Sequence, residues 1–345
     1  MNVGQAKRIA RQWVREEAGS IPGFSGAFLH GSVMWLSDGV TLSETSDIDV
    51  MVVVNTPDPP AKPGKTRFQH GLLDVSLISV DDVRTPEQVL SLYNLAGSFR
   101  TPGILADPTG HLNALQSAVA RDYAKRAWVT RRRDHARDKA LHAYGVNEAA
   151  PFHDQVIGWL FPTGILTHIL LVAGLQNPTV RRRYLSVQKL LEDYGQRDMH
   201  QYLLELLGCA SISRSRVEEH VATLAEAFDA ATEVIRTPFP FASDISAIAR
   251  PIAITGSQEL IAQGDHREAI FWMVATYSRC QTVLFHAGSP AMYNRFEAGY
   301  RALLSDIGIV SSSDLQRQSD EVKAALPAVM DLSSAIIAAN PAIDV

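Results

Sequence analysis

Seven residues, Ile48–Val54 (IDVMVVV), restrict most sharply what this chain can fold into. β-Branched side chains at successive positions favour an extended backbone. A strand that is apolar at nearly every position must be covered on both faces of its pleat. The run therefore predicts a central strand inside a layered α/β unit. Strand-length runs flank it at 25–29, at 72–80 (LLDVSLISV) and at Ile104–Ala106. Residues 3–17 predict an amphipathic helix with Ile9, Trp13 and Val14 on one face, closed by Pro22-Gly23. Residues 86–93 predict a second, short helix, and the proline-rich stretch 57–65 (PDPPAKPGK) reads as a loop. After about residue 119 strand signals stop, and apolar residues recur at spacings of three and four. Helices are predicted at 114–144, 152–174, 182–193, 198–207, 215–235, 256–263, 266–286, 290–307 and 313–337. Trp159, Trp272, Phe285, Phe296 and Cys280 fall in them at core spacing.

The expected fold class is α+β. A domain over 1–118, with a small mixed sheet and flanking helices, precedes an all-helical C-terminal region. The proline-rich segment 237–242 (TPFPFA) divides that region into 119–236 and 237–345, or lies within one continuous bundle. A length of 345 residues requires more than one core at ~150 residues per domain.

Composition narrows the setting. The formal charge is −5, from 32 basic and 37 acidic residues, which argues against a chain held to nucleic acid by bulk charge. Cys209 and Cys280 form neither a disulfide framework nor a zinc motif and suit a reducing, cytoplasmic setting. The N-terminus turns polar at once, unlike a signal peptide. The most apolar stretch, 160–175, is shorter than the ~20 residues of a membrane span and contains Pro162 and Gly164. A buried helix, and no membrane partner, is expected.

Chemistry concentrates in FLHGSVMWLSDGVTLSETSDIDVMVVV, residues 28–54. Positions i and i+2 of a strand share a face, so Asp47 and Asp49 present two carboxylates on one side while Ile48 and Val50 point to the other. Asp74 lies in the next apolar run, between Leu73 and Val75. If that strand pairs beside the first, opposed Cβ atoms ~5 Å apart would bring a third carboxylate to the same face. Such a cluster suits divalent cations with hard oxygen ligands, Mg²⁺ first among them, and two ions ~4 Å apart could clamp a phosphoryl centre. Gly31-Ser32 follows the preceding strand, where a bare backbone and a hydroxyl can approach phosphate oxygens.

The ordered set resembles the DNA polymerase beta-like nucleotidyltransferase superfamily: Gly31-Ser32, a variable loop, Ser46-Asp47-Ile48-Asp49 at a strand start, then Asp74. With helices following and LADPTG at 105–110, the chain looks like the antibiotic nucleotidyltransferases, such as the kanamycin and lincosamide enzymes. Fourteen residues separate Ser32 from Asp47, more than is usual there, and Met34-Trp35-Leu36 stands where a further glycine is common. The resemblance implies Asp47, Asp49 and Asp74 as catalytic metal ligands and Gly31 and Ser32 as triphosphate contacts. It implies Mg²⁺, two ions, with ATP or another nucleoside triphosphate as co-substrate. The reaction would carry AMP to a hydroxyl of a small molecule and release pyrophosphate. Modification of a protein or RNA, or nucleotide sensing without turnover, are the alternative functions. Asp74 is the first candidate base, with Glu148 and Asp154 as others.

Residues 121–142 carry eight basic and three acidic side chains against nine and twelve in 1–118. Arg131, Arg132 and Arg133 are either a solvated face or a grip for phosphates. His30 either orients phosphate or packs.

Overall fold

The computed structural model describes residues 1–143 and 147–344. Two compact units divide it. The first comprises Met1–His135 together with the C-terminal residues from Asn340, and the second comprises Ala136–Ala339. The division falls later than residue 118. The segment 237–242 does not separate two helical bodies, since both its flanks belong to the second unit.

In the first unit α1 (Val3–Glu16) starts at an Asn2 cap. The Asn2 side chain accepts from the Gln5 amide, and the Gln5 side chain accepts from the Asn2 amide. Strands β1 (Phe24–Leu29), β2 (Ile48–Val54), β3 (Gly64–Phe68), β4 (Gly71–Ser79) and β5 (Ile104–Ala106) form one sheet in the order β3-β4-β2-β1-β5. Within this sheet β2 and β4 pair parallel, and the other neighbours pair antiparallel. The expected double covering of β2 is found. Ile48, Val50, Val52 and Val54 pack in one core with Ile9, Ala10, Trp13 and Val14 of α1. On the other face Val53 joins Phe28, Phe99, Leu112 and Val119, beside α2 (Pro86–Ser91) and α3 (His111–Asp122).

Three expectations need correction here. The loop 57–65 ends in β3, an edge strand paired with β4 from Gly64↔Val75 to Phe68↔Gly71. The helix expected at 114–144 is two helices, α3 and α4 (Arg126–Ala143). Between them the chain bonds to its own C-terminal segment: the Arg126 amide donates to the Asp344 carbonyl and the Asp344 amide to the Ala124 carbonyl. The basic segment is not simply a solvated face. Arg132 is buried and donates to the carbonyls of Leu90 and Tyr123 while its guanidinium lies 4.1 Å from the Tyr123 ring centroid. Arg133 pairs with Asp134, and Arg131 lies over Trp128. Truncating Arg132 strands two buried carbonyls and opens a cavity. Arg132→Ala is therefore expected to destabilise the first unit by about 2–4 kcal/mol, measured by denaturant unfolding. A change under about 0.5 kcal/mol, the range of ordinary surface substitutions, would contradict this role.

The second unit holds α5 (Phe152–Ala173), α6 (Arg183–Asp193), α7 (Arg197–Leu206), α8 (Arg214–Val234), α9 (Gly256–Gln263), α10 (His266–Ala287), α11 (Pro290–Asp306) and α12 (Ser312–Ala339). A short π-helical segment, Pro251–Thr255, leads into α9. The apolar stretch around 160–175 belongs to a helix that begins at Phe152 and continues through Pro162. α5 and α12 are both long and apolar enough to cross a membrane by length and composition. α5 is mostly buried inside the protein, including Trp159, Leu166, Ile169 and Leu170, as a core helix is. Cys280 and Phe296 are buried as expected, whereas Phe285 is 50% exposed. Phe285 instead lies against the rings of His286 and Tyr293.

Candidate metal and phosphate site

The site is built at the starting ends of two parallel strands. β2 and β4 are in register from Ile48↔Leu73 to Val54↔Ser79, which sets Asp49 directly opposite Asp74. The apolar neighbours confirm the faces: Ile48, Val50, Leu73 and Val75 enter the α1 core, so Asp49 and Asp74 share the opposite face. Asp47 precedes β2 by one residue and reaches the same cluster. One carboxylate oxygen from each of Asp47, Asp49 and Asp74 lies within 4.8 Å of the others. All three residues are half-buried.

Gly31 closes the cluster from β1. Its φ is +63°, a left-handed value that favours glycine, and it starts the 3-10 turn Gly31–Met34 that also carries Ser32. A Cβ on Gly31 would fall 1.8 Å from Asp49 Oδ2. The backbone therefore touches the carboxylate, and no side chain fits between them. The adjacent His30 amide donates to the Asp49 carbonyl, 3.0 Å, which ties the turn to β2.

Two lysines absent from the sequence expectation enter the site. Lys65 lies opposite Asp74 in the β3–β4 register, and its Nζ is 2.9 Å from Asp47 Oδ2 and 2.5 Å from Asp74 Oδ2. Lys62 Nζ is 3.3 Å from Asp74 Oδ1. The signal for them was the two lysines spaced by three in PAKPGK, masked by the prolines around them.

Electrostatics divide the carboxylates. Burial, and then the charges of Asp47 and Asp74, raise the Asp49 carboxyl well above the usual carboxylate range, against the opposing pull of Lys65 and Lys62. Burial would raise Asp74 too, but Lys65 and Lys62 outweigh it and hold that carboxyl below its usual value. His30 is pushed down to about 4 by burial, partly countered by Asp74. Its neutral ring engages Ser98, with Nδ1 2.6 Å from Ser98 Oγ.

These shifts carry a sign for stability. A carboxyl raised by folding binds its proton more tightly in the folded state, so its contribution falls as pH rises above the ordinary carboxylate value. Asp74 acts oppositely, losing its contribution as pH falls through its depressed value. A divalent cation offsets the Asp49 penalty where that carboxyl is ionised, and competes with its proton at lower pH. Mg²⁺ is thus expected to raise the thermal midpoint at about pH 8 more than at about pH 5, read by calorimetry with matched ionic strength. A Mg²⁺ effect that is equal at both pH values, or greater at pH 5, would argue against a cation on these carboxylates.

The donor set fits a hard cation: three carboxylates, half-buried, with one of them disfavoured as an anion among its neighbours. Asp47, Asp49, Asp74, Gly31 and Ser32 all lie in the first unit. Glu148 and Asp154 lie in the second. Glu148 is exposed, and its carbonyl accepts from the Gln155 side chain. Asp154 stands in the first turn of α5 and accepts from Thr282 Oγ1 at 3.4 Å. No family model matches the chain, and no curated protein matches it.

Proposed function

We propose that the chain is a metal-dependent nucleotidyltransferase that moves AMP from ATP to a hydroxyl of a small molecule, such as an aminoglycoside-like antibiotic. The observation that carries the reading is the carboxylate triad on one sheet face, with the Gly31 backbone pressed against Asp49. Asp47, Asp49 and Asp74 would hold Mg²⁺, which supplies charge neutralisation and orientation at the phosphates when bound. The remaining chemistry belongs to the chain. Gly31 and Ser32 present a turn whose backbone accommodates phosphate oxygens at close range. Lys65 and Lys62 add ammonium groups beside the carboxylates. The acceptor oxygen bonds to the α-phosphorus, the bond from that phosphorus to the bridging oxygen breaks, and pyrophosphate leaves. Asp74, held below its usual value by its lysines, is our first candidate to take the hydroxyl proton.

The test uses ATP labelled at the α-phosphate, Mg²⁺, and a panel of aminoglycosides and lincosamides. Expected is a mass gain of one AMP on a panel compound with stoichiometric pyrophosphate, lost in Asp49→Asn. No gain on any member would overturn the antibiotic acceptor. Labelling of a lysate protein or RNA instead would move the acceptor to a macromolecule.

A further inference from the structure

Lys65 bridges two of the three carboxylates. β3 holds its backbone opposite Asp74, and its ammonium spans Asp74 Oδ2 and Asp47 Oδ2 at 2.5 and 2.9 Å. Only 6% of the side chain is exposed, against 28% for Lys62. Lys62 can return to solvent with little loss. Lys65 cannot, because a buried ammonium that leaves its carboxylates needs another anion nearby.

A cation bound by Asp47 and Asp74 draws on the same two carboxylates that Lys65 engages. The two therefore compete. The four-carbon stem lets the ammonium swing while the strand stays paired. With all three carboxylates ionised, as a bound cation would require, two ammonium groups leave the site one negative charge. A triphosphate brings about as much negative charge as two divalent ions bring positive, so a triphosphate with its ions keeps that balance with both lysines in place. A cation alone does not.

We infer that Lys65 is a displaceable counter-ion: it opposes binding of a bare divalent cation and turns to a phosphate oxygen when the nucleotide enters with its metal. The inference rests on the metal site proposed above and deepens it. It makes Lys65 a positioning residue that couples metal occupancy to nucleotide occupancy, so that the site fills with both together.

The experiment compares the full chain with Lys65→Met, which keeps the stem and removes the charge, and with Lys65→Arg, which keeps the charge. Binding of Mn²⁺ alone is measured by electron paramagnetic resonance of free Mn²⁺. Binding of the α,β-methylene analogue of ATP is measured by calorimetry at saturating Mn²⁺. Expected for Lys65→Met is Mn²⁺ bound about tenfold tighter and the analogue about tenfold weaker, a pair of opposite changes that loss of folding does not produce. Lys65→Arg is expected to stay near the parent in both. Mn²⁺ binding equal to or weaker than the parent's in a folded Lys65→Met protein would overturn the counter-ion role and leave the metal site standing. Failure of parent and variant alike to bind Mn²⁺ would overturn both.

Discussion

Asp49→Asn is expected to slow nucleotidyl transfer by about 10³-fold or more while raising thermal stability when divalent ions are chelated. On the proposed reading, the rate loss follows from removing one of three ligands of a cation whose charge stabilisation would be worth several kcal/mol, each ~1.4 kcal/mol being tenfold in rate. The stability gain has a separate origin. Folding desolvates Asp49 and sets it beside Asp47 and Asp74, and these outweigh Lys65 and Lys62. An amide of nearly equal shape removes that penalty. A gain on the order of 1–2 kcal/mol corresponds to a few degrees, since about 1 kcal/mol moves the midpoint roughly 2–4 °C in a domain of ~150–250 residues. The gain should vanish in the presence of Mg²⁺. Calorimetry with and without chelator, beside a rate assay, checks both halves. A variant that is both inactive and less stable under chelation would contradict the electrostatic account.

Gly31→Ala should be nearly as damaging to activity, and for a steric reason. The left-handed backbone costs alanine about 1–2 kcal/mol. The larger effect is the methyl group, which would fall 1.8 Å from Asp49 Oδ2 and 2.7 Å from its Cγ. Either the turn or the carboxylate must move, and a displacement of ~1 Å at a reacting centre is enough to cost about 10²-fold. Ser32 shares the turn, so phosphate contacts would shift too. The expected outcome is a folded protein with weakened Mn²⁺ binding and a rate lowered about 10²-fold or more. Unchanged Mn²⁺ affinity and rate would show that the close approach has no role in the site.

The carboxylate arrangement was legible because strand alternation is a strict rule. Ile48 and Val50 had to enter a core, which left Asp49 on the other face, and the apolar flanks of Asp74 placed it likewise. The partnership of β2 with β4 supplied what a one-dimensional pattern does not contain, the direct register Asp49↔Asp74. β3 escaped notice for a physical reason. It is an edge strand, only partly covered, so GKTRF carries no apolar alternation, and Pro59, Pro60 and Pro63 before it mark a loop. Lys65 and Lys62 were lost with it. Arg132 was misplaced because charge usually means surface. Its burial depends on the carbonyls of Leu90 and Tyr123, the first far along the chain. The end of α3 was hidden because helical spacing continues across Tyr123–Lys125, where only the distant Asp344 shows that the chain turns.

That last contact changes how the chain should be cut. The polypeptide leaves the first unit at His135 and returns to it at Asn340, so the second unit is an insert with both ends anchored in its host. Stopping the chain at residue 135 deletes one partner of the backbone pairing that joins Ala124 and Arg126 to Asp344, whereas joining 135 to 340 keeps both. A fragment that carries the carboxylate cluster is therefore better made by splicing 135 to 340 through a flexible linker than by simple truncation.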